Sequence, residues 1–339
     1  MVYMGLEFKT RLDSVNGMLR LRDRLEIKFA NLRELKLCVP KDWTPRYHLG
    51  LSEPNMEAFS VEDADESYFP EPALGISHAE CSWNRIFHVR WVAAWFRSLK
   101  ALSLNRERPV DWTEAPENFL RQLTALDVGG KAPYSQMPNL KSAVVDMFPE
   151  KITVHGRERD TYDFKPFFSL EEAFFNVEGC FSTFADSFLK SGGLQKLKWL
   201  GIRCKSGDVD LSIVSPGNSR IGTNEDLLAD MLSLTPLLEH VTWHLFPGFV
   251  FFDKLLTVLT EFAEKNQRFK SFSVCDAEQR SPKFFRELDV IGSKSAKERG
   301  WLYRRDGGHF VFWRSCIQQP WDDVHLFPYQ FFRKWGKYQ

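Results

Sequence analysis

Apolar residues recur through this chain in a six-residue unit of the form apolar-x-x-apolar-x-apolar. The copies are Leu32-Leu35-Leu37, Met56-Phe59-Val61, Leu99-Leu102-Leu104, Leu123-Leu126-Val128, Leu140-Ala143-Val145, Leu170-Ala173-Phe175, Leu197-Leu200-Ile202, Leu238-Val241-Trp243 and Phe269-Phe272-Val274. Their first residues lie 24, 43, 24, 17, 30, 27, 41 and 31 positions apart. The last three positions of a unit alternate apolar, polar or small, apolar, as in Leu102-Ser103-Leu104 and Phe272-Ser273-Val274. That is the period of a strand with one buried face. Between the units, residues 84–96, 178–190, 224–234 and 253–266 carry apolar residues at helical spacing, the last through Leu255, Leu256, Leu259, Phe262 and Ala263. The two longest intervals are expected to hold a long helix or an inserted segment.

A strand followed by a helix, repeated, cannot bury its apolar face alone, and side-by-side stacking of the units solves that problem. The pattern therefore predicts an α/β fold, an irregular solenoid of short parallel strands with helices outside them. Residues 1–31 are expected to form an N-terminal helical cap and 32–274 the array of units. Residues 275–339 are expected to form an aromatic-rich C-terminal cap. In that last part, Trp301-Leu302-Tyr303 and Phe310-Val311-Phe312-Trp313 flank Asp306-Gly307-Gly308 and read as a β-hairpin. The aromatic tail from Trp321 to Trp335 is read first as cover for the open end of the core, with a peptide-binding patch as the alternative.

The segments LRELKL (32–37), LKALSL (99–104), LTALDV (123–128) and LKWLGI (197–202) resemble leucine-rich repeats, and their irregular spacing is similar to the repeat regions of fungal F-box proteins. The Asn or Cys usual three residues past such a unit is replaced by Pro40, Glu107, Lys131 and Lys205, and no Leu-Pro-x-Glu opening of an F-box stands before residue 30. The resemblance implies a substrate-reading part of a ubiquitin-ligase adaptor, with a Skp-type adaptor as a partner.

Composition narrows this picture. Lys plus Arg and Asp plus Glu both total 45 in 339 residues, so no overall charge draws the chain to nucleic acid or an anionic membrane. The six cysteines are scattered without a CxxC pair and read as reduced thiols of a cytoplasmic or nuclear protein. Neither a signal-peptide core nor about 18 consecutive apolar residues occurs, so a membrane partner is not expected.

No GxSxG, GxxxxGK[ST], GxGxxG or HExxH pattern appears, so neither a catalytic residue nor a cofactor or metal is assigned. His240 and His244 stand at i,i+4, but on a strand their rings would be roughly 13 Å apart, too far for one metal. His78, Glu80 and Cys81 form a short trio, with Cys81 read as structural in the adjoining helical region. The basic residues from Lys294 to Arg305 and the acidic stretch Glu62 to Glu66 read as solvated surface.

Alternate strand residues should project from the concave face. There three consecutive units offer Phe174 and Asn176, Trp199 and Arg203, His240 and His244. As solvent-facing residues these would form a recognition patch for a protein partner, while cover by a long loop would make Phe174 and Trp199 core instead. The expected function is a non-catalytic recognition scaffold. The alternative is an enzyme or nucleic-acid-processing factor on an α/β scaffold, with a site dispersed in sequence.

Overall fold

Each of the nine sequence units becomes a strand. A computed structural model describes residues 2–7, 32–38, 58–64, 78–83, 87–95, 97–104, 110–154, 157–206, 224–244, 252–275, 286, 289–290, 293–294, 297–306 and 309–314. The chain divides into two units, Met1–Leu140 and Lys141–Gln339, a boundary inside the 32–274 array expected from the sequence.

The first unit holds β1 (Val2–Glu7), β2 (Leu32–Cys38), β3 (Ala58–Ala64), β4 (His78–Trp83), β5 (Phe87–His88), β6 (Ala101–Leu104), β7 (Val110–Asp111) and β8 (Ala125–Asp127), with helices α1 (Val89–Trp95) and α2 (Glu117–Gln122). Strands β1, β2, β3, β4, β6 and β8 lie side by side in chain order, each parallel to the next, and β5 pairs separately with β7.

Two expectations are corrected here. Residues Val2–Glu7 form a strand, where a helical cap was expected; residues 8–31 lie outside the described ones. The 43-residue interval contains β4 as well as α1, so Cys81 sits on a strand, in register with Val61 and Leu104, and not in a helix. The reason lies in small side chains. Ile76-Ala79-Cys81 is a unit of the same form, and it divides the interval into steps of 20 and 23 residues.

The second unit holds β9 (Ser142–Met147), β10 (Glu150–Val154), β11 (Arg157–Thr161), β12 (Glu172–Cys180), β13 (Trp199–Ser206), β14 (His240–His244), β15 (Ser271–Cys275), β16 (Trp301–Asp306) and β17 (His309–Arg314). Its helices are α3 (Phe181–Lys190), α4 (Asn224–Ser233) and α5 (Phe252–Lys265). Strands β9, β12, β13, β14 and β15 run parallel in chain order. After them β17 pairs antiparallel with β15, and β16 antiparallel with β17, on the two segments expected as a hairpin. Strands β10 and β11 form a separate antiparallel pair. The fold is mixed α/β with mostly parallel sheets. Among the described residues no helix is long and apolar enough to cross a membrane.

The phenylalanine content finds its use beneath β12. Helix α3 carries Phe181, Phe184, Ala185 and Phe188 at i, i+3, i+4 and i+7, all fully buried. The Phe164 ring meets Phe175, Phe184 and Phe188 edge-to-face at 5.8, 5.2 and 5.2 Å, and Phe181 meets Trp243 of β14 at 4.9 Å. Edge-to-face pairs add about 0.5–1.5 kcal/mol each beyond the burial of their area. The segment 178–190 turns helical only from Phe181, because β12 runs on through an irregular register between Val177 and Cys180.

Helix α3 ends on two glycines with left-handed φ, 81° at Gly192 and 75° at Gly193. A Cβ on Gly193 would stand 2.5 Å from Leu234 Cβ and 2.7 Å from the Leu234 carbonyl oxygen, whereas one on Gly192 meets nothing within 4 Å. Gly193→Ala is therefore expected to destabilise by about 2–3 kcal/mol and Gly192→Ala by about 1. Urea midpoints of the two variants check this, and equal losses would mean that backbone strain alone acts.

Candidate functional site

In the sheet of the second unit, residues at matching register form lines that cross the strands on the face away from the aromatic cluster. The first line runs Ser142, Glu172, Trp199, His240, Ser271. The second runs Val144, Phe174, Gly201, Thr242, Ser273. The third runs Asp146, Asn176, Arg203, His244, Cys275. All six residues singled out from the sequence stand on these lines.

Of the two readings open for Phe174 and Trp199, solvent-facing patch or buried core, the structure shows burial. Phe174 is 6% exposed and Trp199 5%. Each ring lies over the next strand instead of standing out from the sheet. Gly201 has no side chain, and the Phe174 ring fills that space: a Cβ on Gly201 would be 2.1 Å from Phe174 Cδ2. Crossing β13 in this way, the ring reaches His244 of β14 edge-to-face at 5.1 Å. Trp199 leans the same way, its ring 5.5 Å from that of His240 and its Nε1–H donating to Thr242 Oγ1 at 3.3 Å.

The expectation of one buried face per strand is also corrected. Ser142, Thr242, Ser271 and Ser273 are all 3% exposed or less, so much of this face is closed too, as parallel strands commonly are, while Asp146, Glu172, Asn176, His240 and His244 stay half-buried and Arg203 exposed. The cost of burying hydroxyls is met by side-chain hydrogen bonds between neighbouring strands. Ser142 Oγ donates to Glu172 Oε2 at 3.0 Å, and Ser273 Oγ donates to Thr242 Oγ1 at 3.0 Å. Asn176 Nδ2 donates to Asp146 Oδ1 at 3.0 Å.

His240 Nδ1 stands 2.6 Å from Ser271 Oγ, the separation of a base and its nucleophile. Ser271 is 1% exposed, however, so its hydroxyl orients the ring and is not presented to a substrate. His240 and His244 occupy the two ends of β14, on different lines, as their strand placement implied.

One residue before each strand runs a second feature, which the sequence reading passed over. Lys141, Glu171, Lys198, Glu239 and Lys270 are successive neighbours, each amide bonded to the preceding carbonyl: Glu171 N to Lys141 O, Lys198 N to Glu171 O, Glu239 N to Lys198 O, Lys270 N to Glu239 O. Their charges alternate. Glu171 pairs with Lys198 at 2.7 Å and with Lys141 at 3.2 Å, and Lys270 pairs with Glu239. The signal was present, since these are the second residues of five consecutive units.

The hydrogen bond from Lys198 holds the Glu171 carboxyl below its usual range, against a smaller opposing effect of burial. A depressed carboxyl contributes stability above its unfolded pKa, near 4.3, and loses it as pH falls through the folded value. Glu171→Gln should therefore cost about 1 kcal/mol or less at neutral pH, an exposed network being weak, and nothing once both forms are protonated. Urea midpoints of the two chains followed from pH 7 downward check this, and a gap that does not narrow as the pH falls would refute the ion-pair origin.

Elsewhere, a groove of about 640 Å³ lies between α4 and α5, floored by Leu232, Val258 and Phe262 and rimmed by Glu261, Lys265 and Arg268. Cys180 and Cys204 carry free thiols, and burial pushes that of Cys204 well above its ordinary value. Of the aromatic C-terminal residues, Trp301, Phe310, Phe312 and Trp313 are buried, with Phe272 stacked on Phe312 at 4.6 Å; the tail from Trp321 to Trp335 lies outside the described residues. Comparison of the chain with models of known protein families and with curated proteins finds no match to either.

Proposed function

We propose that the chain is a non-catalytic protein-recognition scaffold of the cytosol or nucleus, built in each unit as an irregular solenoid of the leucine-rich-repeat kind. The observation that supports it most is strand order: parallel strands follow one another in the sheet in the order of the chain, with helices between several of them. Such an array offers a long register-matched surface and few enclosed spaces, which suits a protein partner better than a small substrate. Polar groups on the β9 to β15 face are tied to their neighbours across the strands, so the surface is rigid before a partner arrives.

Proximity labelling with the full chain, followed by reconstitution of each marked protein with purified chain, tests this reading. At least one marked protein is expected to co-elute as a stoichiometric complex, and failure of all of them would sink the proposal. The resemblance to F-box repeat proteins adds a narrower branch, a Skp-type adaptor as one partner. Co-purification beside a control F-box protein decides it, and an adaptor held by the control alone removes the ligase role.

A further inference from the structure

Three of the six residues singled out from the sequence, Asn176, Arg203 and His244, share one register line on β12, β13 and β14, with Asp146 of β9 beside them; His244 ends β14, whereas β12 runs on to Cys180 and β13 to Ser206. This line is more accessible than the second, and Glu172 and His240 of the first line are half-buried as well. Arg203 is exposed and the other three are half-buried, whereas the second line is closed at Val144, Phe174, Thr242 and Ser273. The single carboxylate of the four, Asp146, already accepts the Asn176 Nδ2–H at 3.0 Å. Among the described residues no carboxylate forms an ion pair with Arg203. Edge contact with the Phe174 ring fixes the imidazole of His244 next to it.

A guanidinium presents a planar fork that matches a carboxylate with two parallel hydrogen bonds, and an exposed arginine on a rigid support is a common anchor of interfaces. We infer that this line takes a carboxylate from an acidic, extended segment of a partner protein, with Arg203 making the two-pronged contact and Asn176 and His244 on either side of it. The inference rests on the reading of the chain as a protein-binding scaffold and gives the partner's chemistry.

The test uses the full chain and three labelled synthetic peptides, alternating Glu and Ala, Gln and Ala, or Lys and Ala, followed by fluorescence anisotropy at low and high salt. The Glu peptide is expected to bind about tenfold more tightly than the Gln peptide, with an affinity that falls as salt rises, and the Lys peptide least of all. Arg203→Gln is expected to lose about tenfold for the Glu peptide, and Arg203→Lys to lose less, with unchanged thermal melting because the side chain is exposed. Equal binding of the three peptides, or an Arg203→Gln chain that binds as the parent does, overturns the inference. If the Glu peptide fails while a reconstituted protein partner still co-elutes, the carboxylate inference falls and the scaffold stands. If neither binds, both fall.

Discussion

Phe174→Ala combined with Trp199→Ala is expected to unfold the second unit at room temperature or leave it barely folded. Each ring is at least 94% buried, and removing a buried Phe or Trp side chain typically costs about 3–5 kcal/mol. Small domains hold only about 5–15 kcal/mol in total. The two losses will not simply add, because both rings lean onto β14 and share its neighbours. Trp199 also leaves Thr242 Oγ1 with one donor fewer inside a closed face. Urea denaturation followed by circular dichroism measures the outcome. A double variant within about 1 kcal/mol of the parent would mean that the rings face solvent, and the recognition patch would then be aromatic after all.

Much of the strand and helix placement was readable from the spacing of apolar residues, and each failure has its own cause. Strand β4 escaped because its unit, Ile76-Ala79-Cys81, relies on small residues that do not stand out as a hydrophobic stripe. Strand β1 escaped for position: Met4 and Leu6 lie in register with Leu35 and Leu37, and Met1-Met4-Leu6 completes a unit 31 residues before Leu32. In the pair β10 and β11 the apolar alternation is confined to Ile152-Thr153-Val154 and absent from β11, with charged Lys151 and Glu158 bridged at 2.9 Å and Ile152 left 44% exposed. Three alternating residues without a partner strand of the same pattern are too short a signal to announce such a pair.

The candidate face was readable in its membership and unreadable in its burial. Strand alternation placed Phe174, Asn176, Trp199, Arg203, His240 and His244 on one side of the sheet, and they are there. It could not say that serines and threonines on that side would be closed from water, because alternation distinguishes apolar from polar and not buried from exposed. What decides burial is pairing between strands that are 27 to 41 residues apart in the chain, such as Ser273 with Thr242 and Asn176 with Asp146. A polar residue whose partner sits at the same position of the next unit can be closed off at little cost.

Gly201 is the residue on which this packing turns, and Gly201→Ala is expected to cost about 2–3 kcal/mol, a large effect for one methyl group. Its Cβ would enter the Phe174 ring, 2.1 Å from Cδ2 and 3.0 Å from Cγ. The ring cannot slide aside cheaply, because His244 stands at its far edge. The sign should reverse once the ring is gone. In a Phe174→Ala background the same methyl group would enter vacated space and add strand-forming propensity, so Gly201→Ala should be neutral or stabilise by about 0.5 kcal/mol. The coupling in the four-chain cycle is thus about 2–3 kcal/mol, measured from urea midpoints with the slope held common. Additive losses would show that the ring does not lie over Gly201. The same cycle read at Arg203 separates packing from recognition, since Gly201→Ala disturbs the ring that seats His244 and leaves the exposed guanidinium on its strand.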